Sequence, residues 1–251
     1  MNAIVGKPTW YELATPDLAG AAAFYGPLLN WQFRDAGMEG FTYHLASRGD
    51  AMVAGMMTVM PEVPPHWLIY FEVAGADATV TATEAAGGRV LMSASDVPET
   101  GRFAVLADPQ GAAFGILEPL PGMPSQAYDP MQSGHGNWHE LNTTEPGVAL
   151  SFYTALFGWT PTQAMPMGEM GDYQLFAQGG RDIGGMMRLQ CADLPPYWMP
   201  YFGTASIKTA MAQITASGGK VHHGPQEVPG GAFICLAEDP QGVHFALVGG
   251  A

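Results

Sequence analysis

The chain has 251 residues, 47% of them hydrophobic, enough to order one large core or two modest ones and too apolar for a disordered chain. Nine Lys and Arg stand against 23 Asp and Glu, a formal charge of −14, so a nucleic-acid backbone or an anionic membrane is repelled over most of the surface. Only Cys191 and Cys235 are present, with no CxxC pair, no signal-peptide pattern and no long uncharged apolar run, which predicts a cytoplasmic protein with no disulfide framework, nucleic-acid partner or membrane span.

In chain order, residues 8–15 read as a strand and 18–29 as a helix, with Asp17 placed to accept hydrogen bonds from first-turn amides. Short strands are predicted near 31–35, 41–47 and 51–59. A strand at 67–73 then leads to a helix near 76–86, closed by Gly87-Gly88, and to strands near 89–92, 102–107 and 112–118. Both passages therefore read βαβββ.

The same order returns in the second half. WYELATPDLAGAAAFYGPLLNW, Trp10 to Trp31, matches WHELNTTEPGVALSFYTALFGW, Trp138 to Trp159, without a gap. GMM at 55–57 returns at 185–187, PPHWLIYF at 64–71 as PPYWMPYF at 195–202, GGRV at 87–90 as GGKV at 218–221, and DPQG at 108–111 again at 239–242. The spacing between copies drifts only from 128 to 131 residues. Turn-forming residues fill 119–136, so the expected organisation is a domain at 1–118, a linker at 119–136 and a second domain at 137–251. DPQG lacks the glycines and Lys-Ser/Thr of a phosphate cradle and reads as a tight turn into the last strand.

Alternation assigns the strand faces. Trp67, Ile69, Phe71 and Val73 are expected to meet a helix, as are Phe114 and Ile116, leaving Leu68 and Tyr70 for a cavity. On the first strand Tyr11 and Leu13 share one face, Trp10 and Glu12 the other. Glu12 and Glu140 sit within apolar strands beside aromatic residues; each either satisfies a neighbouring donor or serves as general base or polar anchor. Trp10, Tyr43, Tyr70, Trp138, Tyr173 and Tyr201 are candidates to line two apolar pockets, with core packing as the competing role. The seven histidines form no HxH or HExxH pattern, and His222-His223, adjacent on a strand, point apart and make poor co-ligands.

TPDLAGAAAFYGPLLNW and its copy TTEPGVALSFYTALFGW, followed in each half by an aromatic strand and by DPQGAAFGILEP or DPQGVHFALVG, resemble the vicinal oxygen chelate superfamily of glyoxalase I, bleomycin resistance proteins and extradiol dioxygenases. The resemblance covers nearly the whole chain outside the linker. It implies an α+β fold of four βαβββ modules, arranged as tandem domains with two curved mixed sheets around cavities and helices outside. It also implies a divalent ion held from the first, fifth and eighth strands of a domain. Those positions fall on Trp10, Leu68 and Gly115 in one half and on Trp138, Met199 and Ala246 in the other, none with a hard-metal ligand. A one-residue slip brings in His66 or His244, which alone does not complete three ligands.

The resulting expectation is a small-molecule binding protein of the bleomycin-resistance type, monomer or homodimer, with no metal and no cofactor. It would hold an aromatic or heterocyclic ligand against Trp10, Tyr43, Leu68, Tyr70, Trp138, Tyr173, Met199 and Tyr201. The alternative is a lyase, isomerase or oxygenase using a divalent metal on relocated ligands, or Glu12 or Glu140 as acid or base.

Overall fold

The structure, a computed structural model, describes residues 5–38, 40–60, 62–191 and 193–251, so the first four residues of the expected first domain lie outside the described residues. Four passages follow one another. The first is β1 (Pro8–Thr15), α1 (Leu18–Leu29), β2 (Gln32–Asp35), β3 (Tyr43–Arg48) and β4 (Ala51–Thr58). The second is β5 (His66–Glu72), α2 (Ala76–Ala85), β6 (Arg89–Val97), β7 (Gly101–Ala107) and β8 (Ala113–Pro119). The third is β9 (Gly136–Thr143), α3 (Pro146–Phe157), β10 (Thr160–Pro166), β11 (Asp172–Gln178) and β12 (Arg181–Arg188). The fourth is β13 (Tyr197–Ser206), α4 (Ile207–Ala216), β14 (Lys220–Glu227), β15 (Phe233–Glu238) and β16 (His244–Gly250).

The strands form two curved eight-stranded sheets of order β2-β3-β4-β1-β5-β8-β7-β6 and β10-β11-β12-β9-β13-β16-β15-β14. They are mixed, since β1 with β4, β5 with β8, β9 with β12 and β13 with β16 run parallel while the hairpin neighbours run antiparallel. The βαβββ modules and sheet type are those the sequence predicts. β6 runs past the expected residue 92 to Val97 because register shifts around Met92 interrupt its alternation without ending its pairing with β7.

Local chemistry sets the helix ends. The Asp17 side chain accepts from the Gly20 amide at 2.9 Å, starting α1, and Asn30 ends it in the left-handed region at φ 55°. Pro146 opens α3, where a missing N–H costs nothing, and Gly158 closes it at φ 68°.

Packing groups the passages across the repeat. One compact unit comprises Met1–Thr9, Ile69–Pro124 and His139–Trp198; the other comprises Trp10–Leu68, Ser125–Trp138 and Met199–Ala251. In the first, Phe71 lies 5.0 Å from Trp159, 5.3 Å from Phe157 and 5.4 Å from Trp198, ring centre to ring centre. In the second, Trp67 meets Tyr25 at 5.4 Å and Phe202 at 5.1 Å, while Phe245 packs on Phe24 and Tyr25. Trp67, Phe71 and Phe114 thus face helices as alternation predicts, although for Phe71 and Phe114 the helix is α3, from the other half of the sequence.

Each unit contains the same polar relay. The Asp108 Oδ1 accepts from the amides of Gln110, Gly111 and Ala112 at 2.9–3.0 Å, closing the DPQG turn, and its Oδ2 accepts from the Tyr153 hydroxyl at 3.2 Å. Trp198 Nε1 donates to that hydroxyl at 3.0 Å. Asp239, Tyr25 and Trp67 repeat the arrangement at 3.0 and 3.1 Å. Burial pushes both carboxyl pKa values up, opposed by the amide donors, and holds both phenols well above their ordinary value. Replacing Tyr25 or Tyr153 by Phe strips one partner from a buried carboxylate and one from an indole. Each change should lower stability by about 1–3 kcal/mol, read from the shift of a urea unfolding midpoint.

A second expectation concerns acid. His139, fully buried on β9, has its Nδ1 2.6 Å from the Ile183 carbonyl, to which it donates, and burial pulls its pKa down from 6.5 to about 4. Below pH 6.5 the unfolded chain binds a proton that the folded chain refuses. Stability therefore falls between pH 6.5 and about 4, by about 3 kcal/mol from this group. His139→Gln should flatten the pH dependence of the melting temperature in that window.

Candidate functional site

On β1 and β3 the predicted residues make one hydrogen-bonded chain. Trp10 Nε1 donates to the Tyr43 hydroxyl at 3.0 Å, and that hydroxyl donates to Glu12 Oε2 at 2.8 Å. Burial, then the Glu12 charge, raises the Tyr43 pKa well above its ordinary value, so the phenol stays a donor. Glu12 pairs with Gly55 in the parallel β1–β4 register, and a Cβ on Gly55 would overlap the Tyr43 hydroxyl. The glycine of the GMM motif is therefore the gap into which the tyrosine fits. The second half repeats the gap: Gly185 pairs with Glu140, and a Cβ there would overlap the Tyr173 ring. Trp138, like Trp10, is half-buried. Glu140 is buried, at 7% exposure, and accepts from Asn142 Nδ2 at 2.9 Å, where the first half has Ala14. Burial, followed by the charge of Glu140, pushes the Tyr197 phenol up to about 12.

Leu68, Tyr70, Met199 and Tyr201 are all buried. Gly115 gives Tyr70 its space as Gly55 does Tyr43, and Tyr201 is the register partner of Ala246. The positions to which the family resemblance assigns metal ligands are thus occupied by rings, aliphatic chains or a glycine gap. Two open clefts in the second unit lie elsewhere. One, of about 450 Å³, is lined by residues including Arg48, Asp50, Tyr128 and His135, and the other, of about 390 Å³, by Phe24, Pro240 and Gln241 among others.

The expectation of a protein with no metal centre and no cofactor is overturned on β14, β15 and β16. His222, Glu238 and His244 bring one potential ligand atom each to within 4.8 Å of one another. Glu238 and His244 are register partners at the turn end of the β15–β16 hairpin, flanking the DPQG turn that Asp239 locks. His222 reaches them through a bulge: Val221 pairs with Ala237 and His223 with Leu236, so one extra residue on β14 alters the strict alternation. Alternation counts only against His222 with His223; the assembled pair is His222 with His244, whose ring centres are 5.3 Å apart. His222 Nε2 lies 3.0 Å from Glu238 Oε2, and Lys220 Nζ lies 2.8 Å from Oε1. The Lys220 hydrogen bond is the largest influence holding the Glu238 pKa below its ordinary value, so the carboxylate is charged.

Two imidazoles and one carboxylate are a donor set that suits zinc, manganese or non-haem iron. By chemistry and convergence the residues fit a divalent ion, with His222, Glu238 and His244 as its protein ligands. The equivalents in the first half, aligned on the DPQG turn, are Leu91, Ala107 and Ala113, so this set exists only in the second half. A sequence signal was present: Glu and His flank the second DPQG turn where the first has two alanines.

The chain belongs to the Glyoxalase/Bleomycin resistance protein/Dioxygenase superfamily, whose profile matches residues 7–116 and 135–247. It is 31% identical over 249 residues to "Putative glyoxylase CFP32" of Mycobacterium tuberculosis (strain CDC 1551 / Oshkosh), covering 97% of this chain and 94% of that one. It is 30% identical over 267 residues to "Anthracycline biosynthesis protein DnrV" of Streptomyces peucetius, covering 97% and 93%. Among solved structures it is similar to the 2,3-dioxygenase LapB from Pseudomonas sp. KL28, with TM-score 0.70 and 14% identity over 99% of this chain and 94% of that chain. It is also similar to the Mn(II)-bound glyoxalase from Novosphingobium aromaticivorans, with TM-score 0.69 and 14% identity over 98% and 83%. At that identity the structural likeness speaks for the fold alone.

The Tyr43 arrangement makes a direct prediction. Gly55→Ala should destabilise the protein by about 1–3 kcal/mol through overpacking, and adding Tyr43→Ala should recover part of the loss, a non-additivity that thermal unfolding of the two single variants and the double variant measures.

Proposed function

We propose that the protein is a metal-dependent enzyme, a lyase or isomerase, that converts a small organic substrate carrying oxygen substituents, aromatic or heterocyclic in character. The observation that carries this reading is the convergence of His222, Glu238 and His244 on one face of the second sheet. A bound divalent ion there would supply Lewis-acid polarisation of substrate oxygens. The chain's own residues do the rest. Phe245, fully buried against α1, takes the opposite face of β16, so His244 and Ala246 share the substrate side. Ala246 lies about 7 Å along the strand from His244. Tyr201, the neighbour of Ala246, together with Met199 forms the apolar wall that orients a ring.

Glu12, held by the Tyr43 hydroxyl that Trp10 fixes in turn, lies on the other sheet from the triad and serves there as a polar anchor. Leu68 and Tyr70 belong to the sheet that lacks the donor set, and they, with Trp138, Tyr173 and Glu140, serve as binding or structural surface. The names of the two full-length relatives, a glyoxylase and an anthracycline biosynthesis protein, support a small-molecule substrate. The donor set itself favours a second reading, an oxygenase, because two histidines and a carboxylate are the ligands of many non-haem iron oxygenases. No helix among the described residues is long and apolar enough to cross a membrane, and Cys191 and Cys235 are unpaired, which supports placing the protein in the reducing cytoplasm.

Protein purified without chelator should carry about one equivalent of a divalent transition metal by mass spectrometry, and the His222→Ala/His244→Ala double variant should carry only background. A metal-free wild type, or a double variant that keeps its metal, would overturn the reading. Oxygen uptake on turnover would select the oxygenase; turnover without oxygen would select the lyase or isomerase.

A further inference from the structure

We propose that Lys220 is an internal counter-ion that competes with a divalent cation for Glu238 and thereby sets the metal affinity of the triad; the inference rests on the metal reading above. Both oxygens of the Glu238 carboxylate already have partners, Lys220 Nζ at 2.8 Å on Oε1 and His222 Nε2 at 3.0 Å on Oε2. Because a carboxylate only accepts, Nε2 of His222 carries the hydrogen in that contact, and both Glu238 oxygens are engaged in the ion-free site. A cation that takes either oxygen competes with the partner already on it.

The exposures of the pair show which partner yields. The Lys220 side chain is 69% exposed, on a flexible stem that can swing into water, whereas the Glu238 side chain is 17% exposed and anchored at the end of β15. Lys220 is also the direct register partner of Glu238, which keeps its ammonium on the same sheet face as the triad even when the ion pair opens. In the first half the corresponding register pair is Arg89 with Ala107, a cation with no carboxylate opposite it. The competition is therefore specific to the second half, where the ligands are.

An ammonium a few ångströms from a doubly charged ion opposes binding, and removing it should tighten binding about tenfold at surface dielectric and physiological salt. The exposed side chain makes Lys220→Met a mild change for the fold, and Lys220→Arg keeps the charge. The test is calorimetric titration of zinc chloride into chelator-stripped full-length protein, for wild type, Lys220→Met, Lys220→Arg and Lys220→Met/His244→Ala. The expected result is a roughly tenfold lower Kd for Lys220→Met, a wild-type Kd for Lys220→Arg, and loss of the site in the double variant. If the wild type binds no zinc but Lys220→Met does, and His244→Ala abolishes it, Lys220 is still the competitor while the resident metal of the proposed function falls. An unchanged or weaker Lys220→Met alongside a zinc-binding wild type overturns the counter-ion role and leaves the metal reading standing. Zinc binding by none of the variants overturns both.

Discussion

Two buried carboxylates, Asp108 and Asp239, organise the molecule because each does two jobs at once. One oxygen gathers the amides that close the DPQG turn, and the other receives a tyrosine hydroxyl from a helix in the opposite half of the sequence. An ionised group so deeply buried is tolerable only when its lone pairs are used, and the turn amides together with the phenol use them. The indoles of Trp67 and Trp198 donate in turn to the phenols, so three separate repeats, FY, HW or YW, and DPQG, prove to be parts of one relay. That relay ties the first passage to the fourth and the second to the third, which is how the compact units are composed.

The candidate metal centre depends on the same lock. Glu238 and His244 are the residues immediately outside the second DPQG segment and its following valine, and their separation is set by the turn that Asp239 closes. A scaffold duplicated with its turns intact leaves positions around those turns open to divergence. Ala107, Ala113 and Leu91 on one side and Glu238, His244 and His222 on the other show that divergence. The aromatic rows changed little, with Trp, Tyr and Glu kept in both halves and glycines 55 and 185 kept to make room for the tyrosine rings.

This explains why the fold could be read from the chain more fully than the site. Internal repetition exposes what the halves share, and what they share is packing: capped helices, alternating strands, tight turns. The metal-binding candidate lies where they differ, and comparing one half with the other directs attention away from it. The positions the family resemblance supplies point away from it as well, since Trp10, Leu68 and Gly115 are aromatic, aliphatic and glycine. His244 was visible as an isolated histidine and His222 as half of an adjacent pair.

The sequence by itself determined the four βαβββ modules, the faces of β1 and β5, the closing turns and the pairing of Glu12 and Glu140 with aromatic neighbours, because these depend on propensity and on period-two or period-3.6 spacing within short stretches. Only the tertiary structure decided which passages pack together, that Trp10, Tyr43 and Glu12 form one hydrogen-bonded chain, and that a bulge on β14 brings His222 to Glu238 and His244. Those outcomes depend on strand register and on contacts between residues far apart in the chain. A one-residue bulge in an edge strand changes which side chains meet while barely altering the local pattern from which a sequence is read.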